Sequence, residues 1–165
     1  MEQSYTEASC RPKKSASDFL KIVGIFLVAI VCIGLLLFSG QVILQIIGAA
    51  GIVAIIYFYP RLNYEYEYIY CDGQIDFDKI MGGSKRKTIF KMDMDEMEIC
   101  GSIKTAELAA FKDLKTKDFS SGLNDAKTYA LIARLNNERV RVLFNPSEKM
   151  VELMWRKSPR KVLKY

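Results

Sequence analysis

The sequence predicts an N-terminal transmembrane helical hairpin followed by an α+β domain, in which an antiparallel β meander or partly open barrel carries a C-terminal closing helix. Two long apolar runs near the N-terminus predict the helices. Alternating apolar and polar residues after them predict the strands, and an amphipathic stretch near the C-terminus predicts the closing helix. A chain of 165 residues has room for one domain of ordinary size.

The two helices are predicted over residues 19–38 and 42–59, which are interrupted only by Lys21 and Gln45. About 20 mainly apolar residues suffice to cross a hydrocarbon core of about 30 Å. The soluble alternative is a buried helical hairpin, but core helices are rarely apolar all round. The first run is longer than a signal-peptide core and lacks a clean cleavage site, so we expect it to be retained.

The charges around these runs predict the orientation of the chain. The turn formed by residues 39–41 has no charge, whereas basic residues flank the helices: Arg11, Lys13, Lys14, Lys21 and Arg61. The positive-inside rule then places both termini in the cytoplasm. We therefore expect a flexible cytoplasmic tail over residues 1–18 and a cytoplasmic domain over residues 61–165.

Small and aromatic residues give the helices further features. Gly24, Gly34, Gly48 and Gly51 allow close packing, either inside the hairpin, which we favour, or on a face that forms a homo-oligomer through the membrane helices. The membrane-interface aromatics are predicted where the second helix leaves the bilayer, before and after the helix-ending Pro60: Tyr57, Tyr59 and Tyr64.

The meander begins directly after the helices. Residues 64–70 place tyrosines on one strand face and Glu65, Glu67 and Ile69 on the other, and Asp72-Gly73 predicts a tight hairpin. Residues 74–81 alternate again. Residues 87–99 are predicted as one long strand, bent or broken near residues 95–96.

The remaining elements follow from local signals. Residues 106–114 favour a short helix and residues 116–125 a loop, while residues 127–135 and 139–144 form a strand pair turned at Asn136-Asn137. Asn145 is the predicted cap of the closing helix, with Pro146 in its first turn, and Pro159 stops it.

The absence of histidine excludes Ser-His-Asp and Cys-His nucleophile systems and most zinc sites. No phosphate-binding or dinucleotide motif occurs, so we predict that the protein is not an enzyme and has no cofactor. The four cysteines are scattered without a CxxC pair, which favours a reducing compartment.

The acidic pairs and the alternating tyrosines can each be interpreted either as a binding site or as ordinary parts of a sheet. The pairs Asp76/Asp78 and Asp93/Asp95 could bind a divalent cation, but we favour a solvated strand face and predict no metal. The tyrosines of residues 64–70 could stack on bases, but acidic neighbours argue against nucleic acid and favour core packing or the membrane interface.

Basic residues form two clusters that could contact anionic lipid headgroups or, equally, be solvated charge. They are Lys85, Arg86 and Lys87 in a turn, and Arg156, Lys157, Arg160, Lys161 and Lys164 near the C-terminus.

The segments "YEYEYIYCDGQIDFDKIMGGSKRK", "FNPSEKMVELM" and "SPRKV" resemble an uncharacterised family of small bacterial two-helix membrane proteins. The part after the helices resembles bacterial pleckstrin-homology-like (PH-like) domains. The resemblance implies a membrane-anchored binding or scaffolding module at the bacterial inner membrane, and supplies no catalytic residues. The partners would be the bilayer with anionic lipid or a membrane protein. The alternative is an accessory subunit of a larger, transporter-like complex.

Overall fold

The computed structural model describes residues 4–13, 16–59, 63–123, 127–135 and 137–164. Predictions that concern Lys14, Pro60, Arg61 and Asn136 lie outside these residues. The chain divides into two compact units. The sheet unit comprises Met1–Lys13, Glu65–Ile80 and Ser84–Tyr165, and the helical unit comprises Lys14–Tyr64 and Met81–Gly83.

The helical unit contains the two predicted apolar helices, α1 (Ala16–Phe38) and α2 (Val42–Phe58). The residues between them form the expected short turn, in which the Gln45 side-chain amide donates to the Ser39 carbonyl at 3.0 Å. The only amide side chain of α2 is therefore satisfied beside the turn, at the end of the hairpin.

Close packing of α1 against α2 depends on glycine in α2. A Cβ atom on Gly48 would lie 2.6 Å from the Cys32 carbonyl oxygen, and one on Gly51 would lie 2.5 Å from Cys32 Sγ. By contrast, Gly24 and Gly34 have nothing within 4 Å of such an atom. Two of the four glycines therefore serve packing inside the hairpin, as small residues do between helices in lipid.

Most large apolar side chains of α1 and α2 are exposed, including Phe26, Leu37 and Ile46. Among the described residues, α1 alone meets the length and apolarity of a membrane span, and α2 is apolar but has 17 residues. That both helices cross a membrane stays a prediction.

Four strands form the N-terminal sheet in the order β1-β2-β3-β4: Tyr5–Cys10, Tyr64–Cys71, Gln74–Met81 and Lys85–Asp93. The prediction of a flexible tail over residues 1–18 is wrong for β1, which pairs antiparallel with β2 from Tyr5 opposite Cys71 to Cys10 opposite Tyr66. Tertiary pairing stabilises this strand, because its own sequence lacks a clear alternation.

Four further strands form the C-terminal sheet in the order β5-β7-β8-β6: β5 is Met97–Ser102, β6 Thr116–Asp118, β7 Tyr129–Leu135 and β8 Glu138–Phe144. Strand β6, in the predicted loop, pairs parallel with β8. The predicted long strand over residues 87–99 is instead β4 and β5, which lie in different sheets. The short helix is a 3₁₀ helix, Ala106–Phe111. The strands of the described residues form two sheets and no closed barrel.

The predicted closing helix is α3 (Glu148–Lys157), but its cap is Ser147 rather than Asn145. Ser147 Oγ accepts from the Met150 amide at 3.2 Å. Asn145 instead joins two loops, since its Oδ1 accepts from the Ser121 amide at 2.7 Å and its Nδ2 donates to the Lys127 carbonyl at 3.1 Å.

Both sheets and α3 contribute to one hydrophobic core. Tyr68 and Phe77 come from the N-terminal sheet, Phe144 from the C-terminal sheet, and Met150 and Met154 from α3, and all are at most 1 % exposed. Edge-to-face contacts join Tyr68 to Phe77 and to Phe144, with ring centroids 5.6 Å apart in each pair. The C-terminal tail also joins this core through Val162, which bridges to Cys100.

The N-terminal sheet has two distinct ends along its strands. At the connection end, β1 finishes at Cys10 opposite Tyr66, β2 begins at Tyr64, and β4 begins at Lys85. Both chain segments that lead to the helices leave the sheet here. At the far end lie Tyr5, Cys71 and the Asp72-Gly73 turn. Strands of this length separate the two ends by about 24 Å.

Candidate functional site

The three basic residues at the start of β4 differ in their surroundings. The Arg86 guanidinium forms an ion pair with Glu67 and lies 3.7 Å from Asp78 Oδ2. Lys85 and Lys87 are exposed and have no ion-pair partner within the part of the chain that the structure describes. Two of the three predicted contact residues are therefore free cations at the connection end.

The Glu67 and Asp78 carboxylates beside Arg86 are partly buried, although the sequence predicted a solvated strand face for Asp78. Asp78 is 3 % exposed, and its Oδ1 has no hydrogen-bond partner among the described residues. Burial raises the pKa of the Glu67 carboxyl, while the Arg86 guanidinium lowers it and Glu7 and Asp78 raise it further. Arg86 thus neutralises an acidic pair inside the sheet, a role that strand alternation alone does not reveal.

The carboxylate pairs do not form a metal centre in the described residues, where no group of three candidate ligands converges. Lys91 Nζ lies 2.6 Å from Asp76 Oδ2, and this hydrogen bond raises the lysine pKa. Asp93 Oδ1 accepts from the Asp95 amide at 2.9 Å and shapes the turn that ends β4. Asp76 therefore forms an ion pair with Lys91, and Asp93 stabilises a turn.

Three residues of the C-terminal basic cluster lie at the far end of the N-terminal sheet. Arg156 and Lys157 line a small cleft with Asp72 and Tyr70, and Lys157 Cε is 3.1 Å from where a Cβ on Gly73 would be. Lys161 Nζ donates to the Met94 carbonyl at 3.2 Å, just beyond the end of β4.

Several members of that cluster already have partners. Arg156 Nη2 lies 2.6 Å from Glu152 Oε1, one helical turn away. Lys164 Nζ lies 4.8 Å from the centroid of the Trp155 ring, a cation–π distance. The structure therefore places Arg156, Lys157 and Lys161 at the end of the sheet opposite to Lys85, Arg86 and Lys87, and it places Lys164 beside Trp155.

The predicted interface aromatics occupy the end of α2 and the start of β2. Tyr57 and Tyr59 are exposed, and Tyr64 is half-buried as the first residue of its strand. The later tyrosines of β2 turn into the core, where Tyr68 is 0 % and Tyr70 1 % exposed. The predicted core packing is confirmed for these two, so their rings are not available to stack on bases.

Tyr68 joins three segments through its hydroxyl group, a junction that the sequence does not reveal. The hydroxyl donates to the Phe119 carbonyl at 2.5 Å, lies 3.0 Å from Cys10 Sγ, and accepts from the Asn145 amide at 3.4 Å. Burial raises the pKa of the Tyr68 hydroxyl and that of the Cys10 thiol. Both groups are therefore neutral at physiological pH and act as structural anchors.

An open cleft of about 650 Å³ lies beside the N-terminus of α3. Its lining carries both signs of charge, with Lys127 and Lys164 against Glu148 and Glu152. Because the acids offset the bases, the lining does not select an anionic or a cationic ligand.

Comparison with known families gives one match that covers nearly the whole chain. The family described as "Bacterial PH-like domain (DUF6106)" matches residues 2–164. The match includes both helices and β1. No curated protein and no solved structure matches the chain.

Proposed function

Since the chain belongs to the bacterial PH-like domain family, we propose that it is a non-enzymatic binding or scaffolding module held at a bacterial inner membrane. Its helices would cross the bilayer twice, and its sheet unit would lie in the cytoplasm with both termini. The ligand would be a protein or anionic lipid at the membrane surface.

The observation that carries this proposal is the pairing of β1 with β2. Strand β1 precedes α1 and β2 follows α2, yet six residue pairs join them in one antiparallel ladder. If α1 alone crossed a bilayer, the two strands would lie on opposite sides and the ladder could not form. The pairing therefore argues against a single crossing, and the exposed apolar side chains of both helices favour two crossings over none.

The dimensions of the helices are compatible with two crossings. Helix α1 has 23 residues and α2 has 17, which correspond to lengths of about 34 and 26 Å. The longer helix can tilt, and the shorter one can be accommodated by slight thinning of the bilayer. Exposed apolar side chains on both helices would then contact lipid rather than water.

The cytoplasmic orientation rests on charge. Arg11 and Lys13 precede α1 in the sheet unit, whereas the turn at residues 39–41 is uncharged. Basic residues near membrane spans are retained on the cytoplasmic side. A non-enzymatic role is supported by the lack of histidine, and by the structural roles of the buried tyrosine and cysteine groups described above.

Cysteine accessibility tests the topology in the full chain. The reporters are the exposed native Cys71 and a Gly40→Cys substitution, each alone after the other cysteines are replaced by serine or alanine. We expect a membrane-impermeant maleimide to label Gly40→Cys in spheroplasts and Cys71 only in inverted vesicles. Labelling of both positions from one side, or release of the chain by carbonate, would contradict the proposal.

A further inference from the structure

We propose that the connection end of the N-terminal sheet is the surface that meets anionic lipid headgroups, through Lys13, Lys85 and Lys87. The C-terminal basic residues at the far end then do not contact the bilayer. This inference rests on the proposed membrane anchoring and names the side of the sheet unit that contacts lipid.

Chain connectivity supports the choice of the connection end. Strand β1 ends at Cys10, six residues before α1 begins at Ala16, and Tyr64 follows α2 by a similarly short segment. An extended residue spans at most about 3.6 Å, so each segment limits this end to about 20 Å from a helix terminus. No comparable limit holds for the far end, which lies a further strand length away.

The charges at the connection end are available for an anionic partner. Lys85 and Lys87 are exposed and unpaired in the described residues, and Lys13 is exposed while its backbone amide is fixed to the Ser121 carbonyl at 2.8 Å. Arg86 is excluded because Glu67 and Asp78 neutralise it, and Arg11 because it lies 3.0 Å from Glu65. The ammonium groups of Lys13, Lys85 and Lys87 therefore have no counter-charge among the described residues.

The far end offers a weaker case for lipid. Lys157 and Lys161 lie beside the Asp72-Gly73 turn and the Met94 carbonyl, about 24 Å along the strands from Lys85. Attraction to an anionic surface decays over a Debye length of about 8 Å at physiological ionic strength. Charges at the far end would therefore be screened from a bilayer that the connection end touches.

The test places a fluorophore at either end of the sheet in the full chain, reconstituted in nanodiscs. Ser84→Cys carries it at the connection end and native Cys71 at the far end, with the other cysteines replaced. The discs contain headgroup-nitroxide lipid as a quencher, with either phosphatidylcholine alone or a mixture with phosphatidylglycerol. We expect strong quenching at Ser84→Cys that increases with phosphatidylglycerol and falls in high salt, and weak quenching at Cys71.

Charge reversal provides the matched comparison. Lys85→Glu with Lys87→Glu should remove the phosphatidylglycerol-dependent part of the quenching, whereas Lys157→Glu with Arg160→Glu should leave it unchanged. The inference would be overturned by stronger quenching at Cys71 than at Ser84→Cys, or by quenching that does not depend on phosphatidylglycerol. It would also be overturned if the phosphatidylglycerol-dependent quenching were lost only in the variant with Lys157→Glu and Arg160→Glu. In each of those cases the proposed anchoring stands if the chain remains in the discs. A chain that does not enter the discs contradicts both.

Discussion

The hydroxyl of Tyr68 links β2 to the Phe119 carbonyl and to the Asn145 amide within the core. We expect Tyr68→Phe to lower the free energy of unfolding by about 1–3 kcal/mol, because it leaves the part-buried Phe119 carbonyl without its donor. Urea unfolding of the detergent-solubilised chain, followed by the fluorescence of the single tryptophan, Trp155, measures this.

Tyr70→Phe is the matched control for that substitution. Tyr70 is equally buried in the same strand, at 1 % exposure, but its hydroxyl takes no part in the Tyr68 junction. We expect its stability to stay within about 0.5 kcal/mol of the parent chain. Equal losses in the two variants would show that the Tyr68 junction contributes nothing specific.

The partly buried Glu67 carboxyl beside Arg86 predicts a pH dependence of stability. Burial raises the pKa of Glu67 in the folded state, so this group favours folding below its ordinary titration range and loses that contribution as the pH rises through the folded value. Arg86→Ala removes the charge that lowers this pKa. Without that charge, an ionised Glu67 is more costly in the folded state. The Arg86→Ala variant should therefore lose more stability in neutral buffer than in mildly acidic buffer.

In the double variant, Glu67→Gln should recover part of the stability that Arg86→Ala loses at neutral pH, because the partly buried site then has one negative charge fewer. Melting temperatures of the single and double variants across a pH series measure both effects. A loss in Arg86→Ala that does not vary with pH and is not recovered by Glu67→Gln would contradict the electrostatic explanation.

At the scale of single elements, local signals predicted those elements that are stable through short-range chemistry. Strand β3 (Gln74–Met81) was predicted with its observed bounds, because Asp72 and Gly73 adopt the positive φ values, 48° and 106°, that a tight hairpin turn requires. The apolar helices were also predicted from local sequence, because a long run of apolar residues is enough to indicate them.

The strands that were not predicted from the sequence depend on pairing with segments that are distant in the sequence. Strand β1 lies in a polar N-terminal segment whose only charged residue within the strand is Glu7, and the whole helical segment separates it from its partner β2 in the sequence. Strand β6 has three residues and exists only beside β8. The roles of Asp78 and Arg86 were missed because alternation placed Asp78 on a solvated strand face and because Arg86 was assigned to a turn.

The close contact between the helices also predicts a difference between two glycines. Gly48→Val places a side chain against the Cys32 backbone carbonyl, 2.6 Å from the new Cβ atom, so α1 and α2 must separate. Gly34→Val meets nothing within 4 Å and is the matched control. We expect a lower melting temperature in detergent for Gly48→Val alone, and equal melting temperatures would contradict packing at Gly48.

At the scale of the whole molecule, the helical segment is an insertion between two paired strands of one domain. This arrangement explains why an apolar helix runs into a β-hairpin with only a few residues between them. Strand β2 must return to the strand from which the chain departed, and the Cys10–Tyr66 pair fixes the meeting point. A fragment that begins after α2 therefore lacks one strand of its sheet.

We expect that the helical segment can be removed without breaking the N-terminal sheet. A short Gly–Ser linker in place of residues 14–63 joins Lys13 to Tyr64 and turns β1 and β2 into an ordinary hairpin, because Cys10 already lies opposite Tyr66. We expect a soluble monomer that unfolds cooperatively, as measured by size-exclusion chromatography and thermal circular dichroism.

The matched control is the fragment of residues 64–165, which keeps every other strand but lacks β1. We expect it to aggregate or unfold at lower temperature, because β2 becomes an unprotected edge strand and the Tyr68 hydroxyl loses its Cys10 neighbour. Equal behaviour of the two proteins would mean that β1 contributes nothing to the stability of the sheet unit, and would contradict this prediction. Failure of the linked protein alone would show that the helices are needed to hold the sheet unit together.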